Sequence, residues 1–364
     1  MTPSDRIAVV LMLVNSPSAP IHRCELLVAH LRNSSSLPVD VHLATDVTRT
    51  DTPADWTQHL VGAAAPEWVQ LHAAFEPLTG PSGFVYMWKP LLHRVLPISL
   101  RKAIVLDVDI FIPAPHDLAD LWREFDALEL SPKAAIGLAW EQQPSYDPNG
   151  PSPFRTFASG WGFNGGVQLM HLERMRDGGL WEAQMRACAA GACGRWIGRE
   201  GDQGLYTAVH ERLPSLFHVL PCGWNRQLAH QLFRDDPTLF LRYHESCSPR
   251  ADNAPRADRT CRLVHGNVDG MKRVVQAAHE RASSSPNGLL TCDTCRGAVE
   301  DAYGLGRGVR ASDRADLVES GAAHMVDVLL GCCGCALDHA PAGSTEDGAR
   351  RNAPARHVLE PNAL

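Results

Sequence analysis

Asp107-Val108-Asp109 stands directly after the apolar run Ala103-Ile104-Val105-Leu106 and directly before Ile110-Phe111-Ile112. Four apolar residues leading into two acids read as a buried strand that delivers carboxylates to its carboxyl end. In open α/β sheets that edge is where ligands bind. Residues i and i+2 of an extended segment point the same way, so both carboxylates can reach one ion. Hard oxygen ligands suit Mg²⁺ or Mn²⁺, ions that typically bridge to phosphates. An isolated Asp-x-Asp usually marks a solvated loop, and with these apolar flanks a metal site stands beside that reading on even terms.

A metal needs a third ligand, and His265 is the candidate. It follows the apolar pair Leu263-Val264 and precedes Gly266, which lets backbone N–H groups approach a phosphate. Asp, Asp and His together favour Mn²⁺, with Mg²⁺ the alternative. Asn164-Gly165-Gly166, beside Trp161 and Phe163, reads as a turn next to a ligand or as a structural bend. Asp202-Gln203 opens a helical stretch, where Asp202 can act as N-cap. A carboxylate and an amide at one helix mouth also suit a sugar, stabilising positive charge at its anomeric carbon. Lys89 is one of only four lysines and sits in Trp88-Lys89-Pro90. There is no Gly-x-x-x-x-Gly-Lys-Ser/Thr loop, no Gly-x-Gly-x-x-Gly after the first strand and no Gly-x-Ser-x-Gly elbow.

These residues need an α/β frame to bring them together. Residues 6–14 read as a continuous apolar strand, 21–32 as a helix and Val39 to Ala44 as a second strand, the opening of a parallel sheet. Residues 84–97 read as a helix with Pro90 near its first turn. Residues 141–160, rich in Pro, Ser and Gly, form a long loop of the kind that carries function. Val167 to Met170 and Leu216 to Leu220 are further strands, 203–212 is a helix, and a helix from Met271 to Ala282 closes the domain. A later helix is capped at Ser312 and carries Leu317, Val318, Met325, Val328 and Leu329. The expected organisation is one domain over 1–282, a small cysteine-containing helical tail over 283–340, and a disordered end over 341–364.

Composition agrees with a folded chain: 45% hydrophobic and 21% charged residues can build a substantial core. The net charge of -7 argues against a nucleic-acid partner. Ile7 to Val14 is too short to span a bilayer, so neither a signal peptide nor a membrane anchor is expected in this chain. Eleven cysteines lean towards an oxidising compartment. Cys292-x-x-Cys295 and Cys332-Cys333-x-Cys335, with His339, could ligate a structural Zn²⁺, and disulfides explain the same residues. Cys247 and Cys261 flank the loop before His265 and could staple it.

The order of the motifs is more telling than any one of them. Trp88-Lys89-Pro90, Leu106 to Asp109, Phe163 to Met170, Gly201-Asp202-Gln203, Leu220 to Asn225 and Val264 to Asn267 together resemble glycosyltransferase family 8. Within it they look most like the glucoside xylosyltransferases, over residues 6 to 280. The resemblance implies a GT-A fold, with a mixed, mostly parallel sheet flanked by helices. It also implies a retaining transfer from a UDP-sugar to a glycan or glucoside acceptor, with Mn²⁺, in the Golgi or secretory lumen. By that pattern Asp107, Asp109 and His265 hold the metal, Gly266 lies beside the diphosphate and Lys89 contacts the donor. Asn164, Gly165, Asp202 and Gln203 line the transferred sugar, and Val14 and Asn15 lie against the uridine. Xylose is the expected sugar. The alternatives are a hexosyltransferase using UDP-glucose or UDP-galactose, or a non-catalytic sugar-binding relative. Gly165 and Gly204 depart from the family, standing where relatives carry a larger side chain.

Overall fold

Seven strands form one twisted sheet in the order β3-β2-β1-β4-β7-β6-β8. They are β1 (Ile7–Leu13), β2 (Val39–Thr45), β3 (Thr57–Leu60), β4 (Ala103–Leu106), β6 (Ile136–Trp140), β7 (Phe163–Met170) and β8 (Phe217–Val219). A second sheet joins β5 (Ile110–Phe111), β10 (Val264–His265) and β9 (Arg226–Gln227). The computed structural model describes residues 6–14, 21–61, 84–142, 162–193, 201–228, 261–266, 269–285, 288–303 and 322–335.

The inner strands β1 and β4 are buried along nearly their whole length, as their unbroken Val, Ile and Leu runs require when helices cover both faces. On one face Val10, Val105, Met170 and Phe217 share a core with Trp181 of α3 (Leu180–Ala189) and Tyr206 of α4 (Asp202–Arg212). The other carries Val9, Leu11, Ile104 and Leu169, covered by α1 (His22–Asn33) and α2 (Leu118–Leu130). In α2 the buried Leu118, Leu121, Phe125 and Leu128 recur at helical spacing. Asp117 caps it, accepting from Ala119 N at 2.8 Å, and accepts from Ser36 N at 3.1 Å as well. Such a cap contributes about 1 kcal/mol.

β7 alone among the described strands of this sheet runs against the rest, pairing antiparallel with both β4 and β6. Leu138 of β6 pairs with Gln168 and Trp140 with Phe163, so Asn164 to Val167 bulge opposite Ala139. A bulge of this kind re-aims side chains.

Beyond residue 282, α6 (Cys292–Tyr303) and α7 (Ala322–Cys332) pack around α5 (Asp269–Ser283). Val326 and Leu329 share a core with Val274, Val275, Ala298, Phe111 and Val264. Disulfides Cys292–Cys335 and Cys295–Cys333 lock the two later helices together, and Cys261–Cys332 ties them to the segment before β10. No helix among the described residues is long and apolar enough to cross a membrane.

Several expectations need correction. The cysteines proposed for Zn²⁺ are paired in disulfides, and Cys261 bonds to Cys332 instead of stapling its own loop to Cys247. Residues 84–97 form a 3-10 turn over Phe84–Leu91 and one α turn over Leu92–Val95, because Pro90 falls mid-segment and cannot donate a helical hydrogen bond. Asn164-Gly165-Gly166 is part of β7 and not a turn before it. The expected loop at 141–160 lies outside the described residues except for its first two, as do Ser312, His339 and everything after 335.

Candidate active site

The reversal of β7 builds the site. The carboxyl ends of β1, β4 and β6 share one edge with the amino end of β7. Asp107 after β4, Glu141 after β6 and Asn164 at the start of β7 therefore meet at one place. Asp107 N donates to Gly166 O at 2.9 Å, which carries the β4–β7 pairing past the end of β4. The chain then turns at Val108 and enters β5, whose Ile110 pairs with His265. Gly266 N donates to Asp109 O at 2.8 Å and fixes that register.

Asp107, Asp109 and His265 are thus brought together, each offering a ligand atom within 4.8 Å of the others. His265 Nε2 lies 3.5 Å from Asp109 Oδ1 and 3.9 Å from Asp107 Oδ2. Asp109 and His265 are buried and Asp107 is partly open to solvent. Burial disfavours the charged form of both buried groups. Even so, Asp109 is held below the usual carboxylate range, because burial is outweighed by His265. His265 is held above its ordinary value, because Asp109 and then Asp107 outweigh burial. Two carboxylates and one imidazole facing a single point fit a divalent cation of the Mn²⁺ type. They are the one such group among the described residues.

A second constellation abuts the first. Lys89, 2% exposed, donates to Asp107 Oδ1 at 2.9 Å and to Gly165 O at 3.0 Å, and lies 3.8 Å from Asp202 Oδ2. Asp202 accepts from Gln168 Nε2 at 2.8 Å, and Gln168 Oε1 accepts from Tyr206 OH at 3.0 Å. Burial, then Asp107, pushes the Asp202 carboxyl up to about 6, against the pull of Lys89. Gln203 Oε1 accepts from Gly165 N at 2.8 Å. Asp202 is not the N-cap expected of it. Gly201 takes that position at φ 59°, where glycine is at ease, and Asp202 becomes the first helical residue with its side chain turned into the site.

The predicted residues converge with two reservations. Val14 is half-buried beyond the end of β1, on the site's edge, and Asn15 lies outside the described residues. Gly165 offers no spare room, because a Cβ there would stand 2.8 Å from Asp202 Oδ2 and 3.2 Å from Gln203 Cγ. Sequence reasoning missed Glu141, Gln168 and Asn225, and read Gly166 only as part of a turn or bend. A Cβ on Gly166 would stand 2.2 Å from His265 Cε1 and 2.5 Å from its Nδ1, so any side chain there would collide with the ring. Asn225 closes Leu-Pro-Cys-Gly-Trp-Asn, a motif noticed only as a string, and its polar end after Trp224 was the available signal.

Comparisons with known proteins agree with this geometry. No family model matches the chain. Over 231 residues it is 31% identical to xylosyl- and glucuronyltransferase LARGE2 of Mus musculus, covering 61% of this chain and 32% of that protein. Over 167 residues it is 34% identical to xyloside xylosyltransferase 1 of Homo sapiens, covering 41% of this chain and 40% of that protein. The crystal structure of mouse xyloside xylosyltransferase 1, in its apo form, superposes with a TM-score of 0.54 at 22% identity. That match covers 72% of this chain and 98% of the other. The chain therefore has the GT-A fold. It is homologous to these glycosyltransferases, in keeping with the family 8 resemblance of its motifs, although it spans 40% or less of these two curated relatives' length.

Proposed function

We propose that this chain transfers a sugar, with retention, from a UDP-sugar to a glycan or glucoside acceptor, and that the sugar is xylose. The observation that carries the reading is the meeting of Asp107, Asp109 and His265 at the sheet's carboxyl edge, beside Lys89, Asp202 and Gln203. Asp107, Asp109 and His265 would hold Mn²⁺, which when bound supplies Lewis-acid charge to the leaving diphosphate. Lys89 adds a fixed positive charge on the same side. Asp202, ionised, stabilises the positive charge that develops at the anomeric carbon.

Gln203 is held by Gly165 N–H and is a poor nucleophile, and the Asp pair is committed to the metal. The two-carboxylate scheme of retaining glycosidases does not fit. Attack on the departing face does. The acceptor oxygen bonds to the anomeric carbon as the bond to the β-phosphate oxygen breaks, and the acceptor's proton passes to that phosphate oxygen. Residues of the chain orient the groups and exclude water.

Xylose lacks the hydroxymethyl group of a hexose. The space at Gly165 is filled by Asp202 and Gln203, which supports the smaller sugar. A donor panel scored by UDP release tests the reading. UDP-xylose should exceed UDP-glucose and UDP-galactose by about tenfold or more, within the range one carbon can discriminate. Release should vanish in chelator. A tenfold preference for UDP-glucose would overturn the xylose assignment and leave sugar transfer standing.

A further inference from the structure

Three buried side chains, Glu141, Asn164 and Asn225, form one hydrogen-bonded chain that ends on His265. Glu141 Oε2 accepts from Asn164 Nδ2 at 3.0 Å. Asn164 Oδ1 accepts from Gly166 N at 2.9 Å and from Asn225 Nδ2 at 2.9 Å. Asn225 Oδ1 lies 3.1 Å from His265 Nδ1. Asn164 and Asn225 have no solvent exposure, and Glu141 and His265 keep 5% and 3%.

The direction of every bond follows from one end. The Gly166 N–H can only donate, so the Asn164 oxygen must face it and the Asn164 amino group must face the Glu141 carboxylate. The Asn164 oxygen then accepts from Asn225, which turns the Asn225 amino group towards it. The Asn225 oxygen is left facing Nδ1 of His265. An oxygen can only accept there, so Nδ1 carries a hydrogen, and Nε2, which faces Asp107 and Asp109, is the nitrogen left to a bound ion. Which ring nitrogen is metallated is set by the bond that the other nitrogen makes.

We infer that Asn225 is the positioning residue of the metal centre: through its side-chain oxygen it holds His265 as the Nδ1–H tautomer, with Nε2 turned to Asp107 and Asp109. This rests on the divalent-metal reading above. The lack of a side chain at Gly166 leaves room for the same ring, since a Cβ there would stand 2.2 Å from Cε1. Asn225 gains its own rigidity from the chain through Asn164 to Glu141. Gln142 adds to it, since its Nε2 donates to Asn225 O at 2.8 Å.

Calorimetry of Mn²⁺ with UDP on the full chain tests this, using wild type, Asn225→Ala, Asn225→Asp and His265→Ala. Asp keeps an acceptor for Nδ1–H and loses the bond to Asn164, whereas Ala keeps neither. Asn225→Ala should weaken Mn²⁺–UDP about 10–100-fold, the usual effect of losing the partner of a ligating His. Asn225→Asp should stay within about threefold of wild type. Electron spin-echo spectroscopy of bound Mn²⁺ adds a readout that a packing role would not move. The ¹⁴N modulation from His265 should persist in wild type and Asn225→Asp and fall in Asn225→Ala. Asn225→Leu, with the same branched heavy-atom outline as Asn and without an acceptor, stands in if the alanine variant does not fold. Equal losses in Asp and Ala, or no loss in Ala, would overturn the role of Asn225 while leaving the metal site intact. A wild type whose UDP binding ignores Mn²⁺, or a His265→Ala variant that binds like wild type, would instead overturn the metal reading and the inference with it.

Discussion

Lys89 donates a 2.9 Å hydrogen bond to Asp107 while almost wholly removed from solvent. Its ammonium also lies 3.8 Å from Asp202, so one cation serves two carboxylates on opposite sides. Lys89→Met removes the charge at similar length and leaves both acids in mutual repulsion. Stability should fall by about 2 kcal/mol, below the 3–5 kcal/mol of a fully buried pair, because Asp107 is partly exposed. UDP release should fall about 100-fold or more, as when a preorganised charge is lost. Thermal melts and a UDP-release assay measure the two effects separately.

Asp202 gives the expected pH dependence. Its carboxyl is raised from the ordinary 3.8 to about 6, chiefly by burial. The native state therefore holds this proton more tightly than the unfolded chain. The favourable contribution is full below about pH 3.8 and lost as pH rises through about 6. Asp202→Asn should gain on wild type by about 2–3 kcal/mol between pH 4 and pH 7.5. Denaturant melts in chelator measure this, and a constant difference across that window would contradict it. The proposed reaction uses the ionised form, so turnover should decline as pH drops below about 6.

Two neighbouring glycines should separate two functions. A Cβ on Gly166 falls on the His265 ring, while one on Gly165 meets Asp202 and Gln203. Gly166→Ala should abolish Mn²⁺-dependent UDP binding. Gly165→Ala should keep that binding and lose turnover with UDP-xylose. Calorimetry and donor turnover on both variants decide it, and equal effects on both readouts would contradict the assignment.

The Cys261–Cys332 bond closes a sequence separation of 71 residues just before β10. Replacing both cysteines by serine should cost about 2–4 kcal/mol in unfolding experiments. Peptide mapping under non-reducing conditions should recover the Cys261–Cys332 link in wild type.

Much of the candidate metal cluster was legible because each of its parts carries a local signal. Asp107 and Asp109 follow an apolar strand, and His265 follows an apolar pair ahead of glycine. The positions set by packing were not legible. Asn164-Gly165-Gly166 carries the composition of a turn, yet it stays in β7 because α4 presses on one side and His265 on the other. Asp202 has the residue type of a cap, and only the positive φ of Gly201 shows that the helix starts one residue earlier than a capping Asp202 would require. Asn225 and Glu141 are 84 positions apart and meet only when β6 and β9 converge, which no spacing rule reveals. The helix at Leu118–Leu130 is a plainer omission, since its cap and apolar spacing stand openly in the sequence.

Along the bulge of β7, Phe163 and Gly165 face α4, whereas Asn164 and Gly166 face Asn225 and His265. One tetrapeptide thus borders both halves of the constellation, by alternate residues. In the proposed transfer, a substitution at Gly165 would bear on donor choice and one at Gly166 on the ion. The two properties would then be open to separate selection, so a lineage carrying this strand could change the sugar it moves without first surrendering its hold on the diphosphate.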